Sequence, residues 1–129
     1  MSGRANVIRA PLRTKVITAT RDMTAASGAV SYTGVGFKPK AIIAMGFIAS
    51  SDANAAIGFG DSALVDDAMF WNTTPSVGNS NSLLMIQTNP GVAYQAAVIT
   101  SYDTDGFTLT WTKTSTPTGT ATLKFLCIG

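Results

Sequence analysis

The sequence predicts an all-β protein, an antiparallel β-sandwich of about eight strands. Three observations carry that expectation. The chain has no Glu and no His, and charged residues make up only 12%, so the usual material of exposed helices is missing. Thr, Ser, Asn and Gly supply the polarity instead, and Thr favours strands. Apolar residues recur with a period of two through most of the chain, which marks half-buried strands. At 129 residues the chain fits one domain by size and is long enough to bury a real core.

Lys15–Thr20 (KVITAT) alternates Val16, Thr18 and Thr20 against Ile17 and Ala19 and reads as the first strand. Ala29–Thr33 is a short second one. Lys40–Ile48 is mostly apolar, which suits a strand buried on both faces. Ala55–Phe59 follows and ends at Gly60-Asp61. Ser82–Thr88 and Ala93–Tyr102 are two more. In Gly106–Lys113 (GFTLTWTK), Phe107, Leu109 and Trp111 face one way and Thr108, Thr110 and Thr112 the other. Thr120–Ile128 repeats the pattern with Ala121, Leu123, Phe125 and Cys127 facing in. Pro117 and Gly119 break the ladder between these last two, so they read as a C-terminal hairpin. Phe107, Leu109, Trp111, Leu123 and Phe125 should form one apolar layer. Asp61–Phe70 differs: Leu64, Val65, Ala68 and Met69 recur at helical spacing behind an Asp61 cap, so a short helix and an irregular crossover both stay open. Trp71–Ser82 reads as a polar loop.

Charge is unevenly spread. Arg4, Arg9, Arg13, Lys15 and Arg21 all precede the first acid, Asp22; from there on the chain has four Lys and seven Asp. Residues 1–21 therefore read as a basic N-terminal arm leading into the first strand, and residues 22–129 as a single sandwich domain. A basic arm suits docking on an acidic protein surface, and these five residues are its candidate partner-binding set.

Chemistry-bearing motifs are few. Without His there is no Ser-His-Asp or Cys-His system. Cys127 is alone, so neither an intrachain disulfide nor a Cys/His zinc cluster can be built. Asp103-Thr104-Asp105-Gly106 has half the spacing of a calcium loop and is an ordinary turn signal. TGVGFKPKAIIAMG, Thr33 to Gly46, mixes Gly and Lys as phosphate loops do, but no G-K-S/T ends it and Pro39 stands where a helix should open. Lys38 and Lys40 then flank an apolar strand and discourage mispairing. Neither a catalytic residue, a cofactor nor a metal is expected. No secretory leader pattern is visible, and no segment is apolar enough for a membrane span, so no membrane partner is expected.

The same stretch, TGVGFKPKAIIAMG, together with SYDTDGFTLTWTKTSTPTGTATLKFLCIG at the end, resembles small virion structural proteins of tailed bacteriophages. In those, a G-F-x-P-K-A lead into an apolar strand recurs, and D-G-F-T-L-x-W followed by a closing hydrophobic strand ends the chain. The similarity spans Ser31 to Gly129. It implies a β-sandwich or jelly-roll module in the virion, made in the host bacterial cytoplasm. The role implied is capsid decoration, stabilising the head shell through the arm and the sandwich surface. The alternative is a host-recognition or adaptor module of a head or tail fibre or spike that binds glycans, for which Trp71 with Asn72 is the candidate platform. The partners implied are capsid or other virion proteins, with nucleic acid not expected. A symmetric homo-oligomer, a trimer first, is also implied, and the low charge of the chain favours association independently.

Overall fold

The period-two pattern is realised as ten strands in a computed structural model that describes residues 11–49, 54–71, 77–89 and 92–129. They are β1 (Thr14–Asp22), β2 (Gly28–Thr33), β3 (Ala41–Ile48), β4 (Asn54–Gly60), β5 (Asp66–Trp71), β6 (Val77–Ser80), β7 (Leu84–Asn89), β8 (Ala93–Asp103), β9 (Gly106–Thr114) and β10 (Thr120–Ile128). No helix occurs among the described residues. The strands form two antiparallel sheets, a six-stranded one in the order β1-β10-β3-β4-β5-β6 and a four-stranded one in the order β2-β9-β8-β7. Their inner faces pack together as a β-sandwich. The outer winding, β1 beside β10 and β2 beside β9, is that of a jelly roll; the meanders β3-β4-β5-β6 and β7-β8-β9 complete the sheets.

Four sequence expectations need correction. First, β9 and β10 do not pair as a hairpin: β9 lies in the four-stranded sheet and β10 in the other. Ser115, at φ 60°, and Gly119, at φ 96°, swing the chain across the sandwich instead. Alternation could not separate the two cases, because a strand pair and two facing strands both bury every second residue. Second, β1 pairs with β10 through all nine of its residues, so residues 14–21, counted with the arm, are part of the six-stranded sheet. Third, β3 buries only one face; Ile43 and Met45 on the other are exposed.

Fourth, residues 66–71 form β5, neither the short helix nor the irregular crossover left open, and β6 occupies part of the expected polar loop. The Asp61 signal is real but serves a turn. Its Oδ1 accepts the N–H groups of Ala63 at 2.8 Å and Val65 at 3.1 Å. The Asp61 N–H donates to the Val65 carbonyl, closing the β4–β5 hairpin, and Leu64 sits at φ 61° inside it. Asx turns and helix caps use the same side-chain acceptor, so the sequence signal alone is shared by both.

The five residues expected to form one apolar layer of that hairpin are buried, but they face each other from the two sheets. Phe107, Leu109, Trp111, Leu123 and Phe125 are all fully buried. Phe107 stacks on Tyr32 at 5.1 Å and meets Phe125 edge-on at 5.0 Å, joining the sheets through aromatic contact. The Trp111 Nε1–H donates to the Tyr32 hydroxyl at 3.1 Å, so the indole is buried with its one polar atom satisfied. Glycine allows the sheets to approach at β4: a Cβ on Gly58 would lie 1.6 Å from the Leu83 carbonyl oxygen. Gly58→Ala would therefore need backbone movement.

One buried acid links the sheets. Asp66, on β5, accepts the Ile99 N–H of β8 at 2.7 Å, beside the bulge between Ile99 and Ser101. Its other oxygen is buried without a partner. Burial pushes the Asp66 carboxyl above the usual carboxylate range, only partly offset by the Ile99 hydrogen bond, with Asp61 and Asp67 pushing the same way as burial.

Trp111→Ala is expected to cost about 3–5 kcal/mol in urea unfolding, as for other fully buried aromatic residues; a loss below about 1 kcal/mol would contradict its burial. A raised folded-state pKa means that the native state holds the Asp66 proton more tightly. The stability this confers is fully present below the ordinary carboxylate value and is lost as the pH rises through the folded one. The stability of the wild type relative to Asp66→Asn should therefore increase as the pH is lowered through that window. A flat difference across pH would show that Asp66 titrates as it does in the unfolded chain.

Candidate protein-docking face

The outer positions of the two sheets carry different chemistry. On the four-stranded sheet they include Ser31, Thr108, Thr110 and Thr112. The Ser31 and Thr108 hydroxyls bond to each other at 2.9 Å, and Thr100 bonds Thr110 in the same way. This is the usual solvated face of an antiparallel sheet.

On the six-stranded sheet the cross-strand register builds apolar rows instead. One row runs Val16, Leu126, Ile43, Phe59 and Asp67 across β1, β10, β3, β4 and β5. The next runs Thr18, Lys124, Met45, Ile57 and Met69, and the third Thr20, Thr122, Phe47, Ala55 and Trp71. Val16, Ile43, Met45, Ile57, Phe59, Met69 and Trp71 are between 36% and 54% exposed. Single exposed apolar residues are normal on a surface, but contiguous ones mark interaction sites. Two shallow hollows lie on this face. One, of about 480 Å³, is lined by Ile43, Ile57, Phe59, Asp67 and Met69. The other, of about 260 Å³, is lined by Val16, Ile43, Met45, Ile57, Lys124 and Leu126. Ile43 and Ile57 belong to both.

The structure separates the five basic residues taken together as an arm. Arg4 and Arg9 lie outside the described residues. Arg13 exchanges two backbone hydrogen bonds with Gly129, and its guanidinium sits 5.1 Å from the Phe37 ring centroid. With Lys38, Lys40, Ser62 and Tyr102 it lines a cavity of about 300 Å³ at one end of the sandwich. Lys15 is exposed on the edge strand β1.

Arg21 is a correction: it is only 8% exposed and cannot present its charge to a partner. Its Nε donates to Gln95 Oε1 at 3.0 Å and its Nη2 to the Ala26 carbonyl at 2.9 Å, with the guanidinium 5.0 Å from the Trp111 ring centroid. Gln95, fully buried, in turn donates to the carbonyls of Met23 and Ala25. Arg21 and Gln95 thus clamp the β1–β2 connection over Trp111. A buried arginine of this kind has no local sequence signal, because Gln95 is 74 residues away.

The two loops weighed as ligand motifs occupy each other. Gly34 and Gly36, at φ 87° and 85°, point their N–H groups at the Asp105 carboxylate, at 3.1 and 2.6 Å. The glycine loop is an anion cradle filled by the chain's own acid. Asp103 is held below the usual carboxylate range by hydrogen bonds from the Thr108 and Ser101 hydroxyls. No group of three metal-ligating side chains gathers among the described residues. Trp71 is part of the third apolar row rather than a separate platform; Asn72 lies outside the described residues.

Fold and surface together define an all-β sandwich with one apolar outer face. Comparison with family models, with curated proteins and with solved structures gives no match.

Arg21→Ala removes the donor to a fully buried amide oxygen, which should destabilise the fold by about 1–3 kcal/mol. Lys15→Ala, exposed on the same strand, should stay within about 0.5 kcal/mol of wild type. Equal effects in thermal or urea unfolding would contradict the clamp.

Proposed function

We propose that the protein is a structural subunit of a tailed-bacteriophage virion, a capsid decoration protein that buries its sheet face in the assembled particle. The observation that carries this reading is the apolar outer face of the six-stranded sheet. A chain with so little charge leaves seven large apolar side chains half exposed in adjoining rows, and burial against protein is the favourable outcome for such a surface. The particle itself is supplied by the resemblance of Thr33–Gly46 and Ser101–Gly129 to small phage virion proteins. The residues ahead of β1, with Arg4 and Arg9, provide the attachment to the head shell. The placement of Trp71 within the apolar rows favours a docking surface over a glycan platform.

Imaging phage particles with and without the protein tests this. Density at a repeated position on the shell lattice is expected. Density only on a tail or fibre would replace decoration by adsorption, and absence from the particle would overturn the reading. Deleting residues 2–10 should leave the sandwich folded, since β1 begins at Thr14, and should abolish incorporation. If the attachment is electrostatic, added salt should weaken it in the wild type.

A further inference from the structure

We propose that the apolar face of the six-stranded sheet is covered by a second copy of this chain, related by a twofold axis running along the strands between β3 and β4. The inference rests on the reading that this face is buried in an assembly, and adds what buries it.

The placement of charge on the face selects that occupant. Lys124 and Asp67 are the only charged side chains on the three rows described above. Neither has a hydrogen-bond or ion-pair partner among the described residues. Lys124 is on β10, one strand outside β3; Asp67 is on β5, one strand outside β4. With strands about 4.8 Å apart, the two charges stand about 7 Å on either side of the β3–β4 midline. Rotation by half a turn about that midline brings β10 of one copy over β5 of the other, and the reverse. Lys124 is in the same row as Met69, two residues from Asp67 along β5. That offset, about 7 Å, is within the reach of a lysine stem. One operation therefore pairs both charges, twice.

The shape of the face agrees. The two hollows join at Ile43 and Ile57, and Lys124 lines one while Asp67 lines the other. Under the twofold, the hollow carrying the acid faces the hollow carrying the base. Face-to-face sheet packing of about 10 Å spacing is the arrangement already used inside the sandwich. A partner that left either charge uncompensated would incur a desolvation cost, whereas a second copy satisfies both. The contact is self-complementary and closes on itself, so it does not propagate into fibres. A twofold pair takes the place of the trimer that the resemblance implies.

Sedimentation velocity of the purified full-length protein, from roughly 1 to 100 µM, should show a reversible dimer. Lys124→Asp and Asp67→Lys should each weaken dimerisation by about tenfold or more, because each places like charges opposite one another. The double reversal should return to within about threefold of wild type. Carbodiimide treatment of the wild type gives an independent readout: an amide between Lys124 and Asp67, identified by mass spectrometry in a cross-linked dimer. Within one chain the two lie three strand spacings apart, about 14 Å, too far for a direct amide. A monomer throughout the range, a trimer, or a dimer indifferent to both single reversals would overturn the proposal. A monomer that is nevertheless incorporated into particles would overturn this pairing alone and leave the assembly role standing.

Discussion

The packing of β9 against β10 across the core is the constraint on which the rest of the structure depends. Phe107 and Phe125 meet edge to face only because the chain leaves the four-stranded sheet after Thr114 and enters the other at Thr120. Once there, β10 pairs with β1 on one side and β3 on the other. It thereby joins the N-terminal strand to the β3–β6 meander and makes a sheet of six. Had β10 stayed beside β9, β1 and β3 would have lacked the strand they share, and the outer face with its apolar rows would not exist.

Several polar side chains hold the connections between strands. Arg21 and Gln95 hold the β1–β2 crossing, Asp61 closes the β4–β5 turn, and Asp105 fills the glycine loop after β2. Tyr102, whose hydroxyl donates to the Asp61 carbonyl, ties that turn to β8. Each of these groups is satisfied internally, as buried or turn-forming polar groups must be. Asp66 departs from this pattern, with one oxygen bonded across the sheets and the other buried alone. It stands beside the bulge that redirects β8, where one backbone N–H needs an acceptor that the ladder does not supply.

The two outer faces differ in what their strands present. Threonine alternation on β9 gives the four-stranded sheet a hydroxyl surface bonded laterally to its neighbours. The strands of the larger sheet carry Ile, Met, Phe and Val at the equivalent positions, and β3 and β4 bring four of them together at its centre. A solvated face and an apolar face on one sandwich give it two sides of opposite chemistry.

The sequence by itself determined the all-β class, most strand positions, the buried set from Phe107 to Cys127 and the absence of a His-based catalytic apparatus. Those properties are written in residue type and in period-two spacing, both of which are local. Tertiary structure decided which strands pair and which face each other, because alternation is the same in either case; the β9–β10 hairpin expectation failed for that reason. It decided that Arg21 is a buried clamp, since Gln95 and Trp111 are remote in the chain. It decided too that Asp61 caps a hairpin rather than a helix. The apolar outer face was the least legible feature. The apolar run of β3 was visible but looked like core, and only cross-strand register could reveal that its outer half adjoins the outer halves of β4, β5 and β10. A sequence reports what each strand offers to its two sides; which side is covered depends on how many layers the chain can build, and this one builds two.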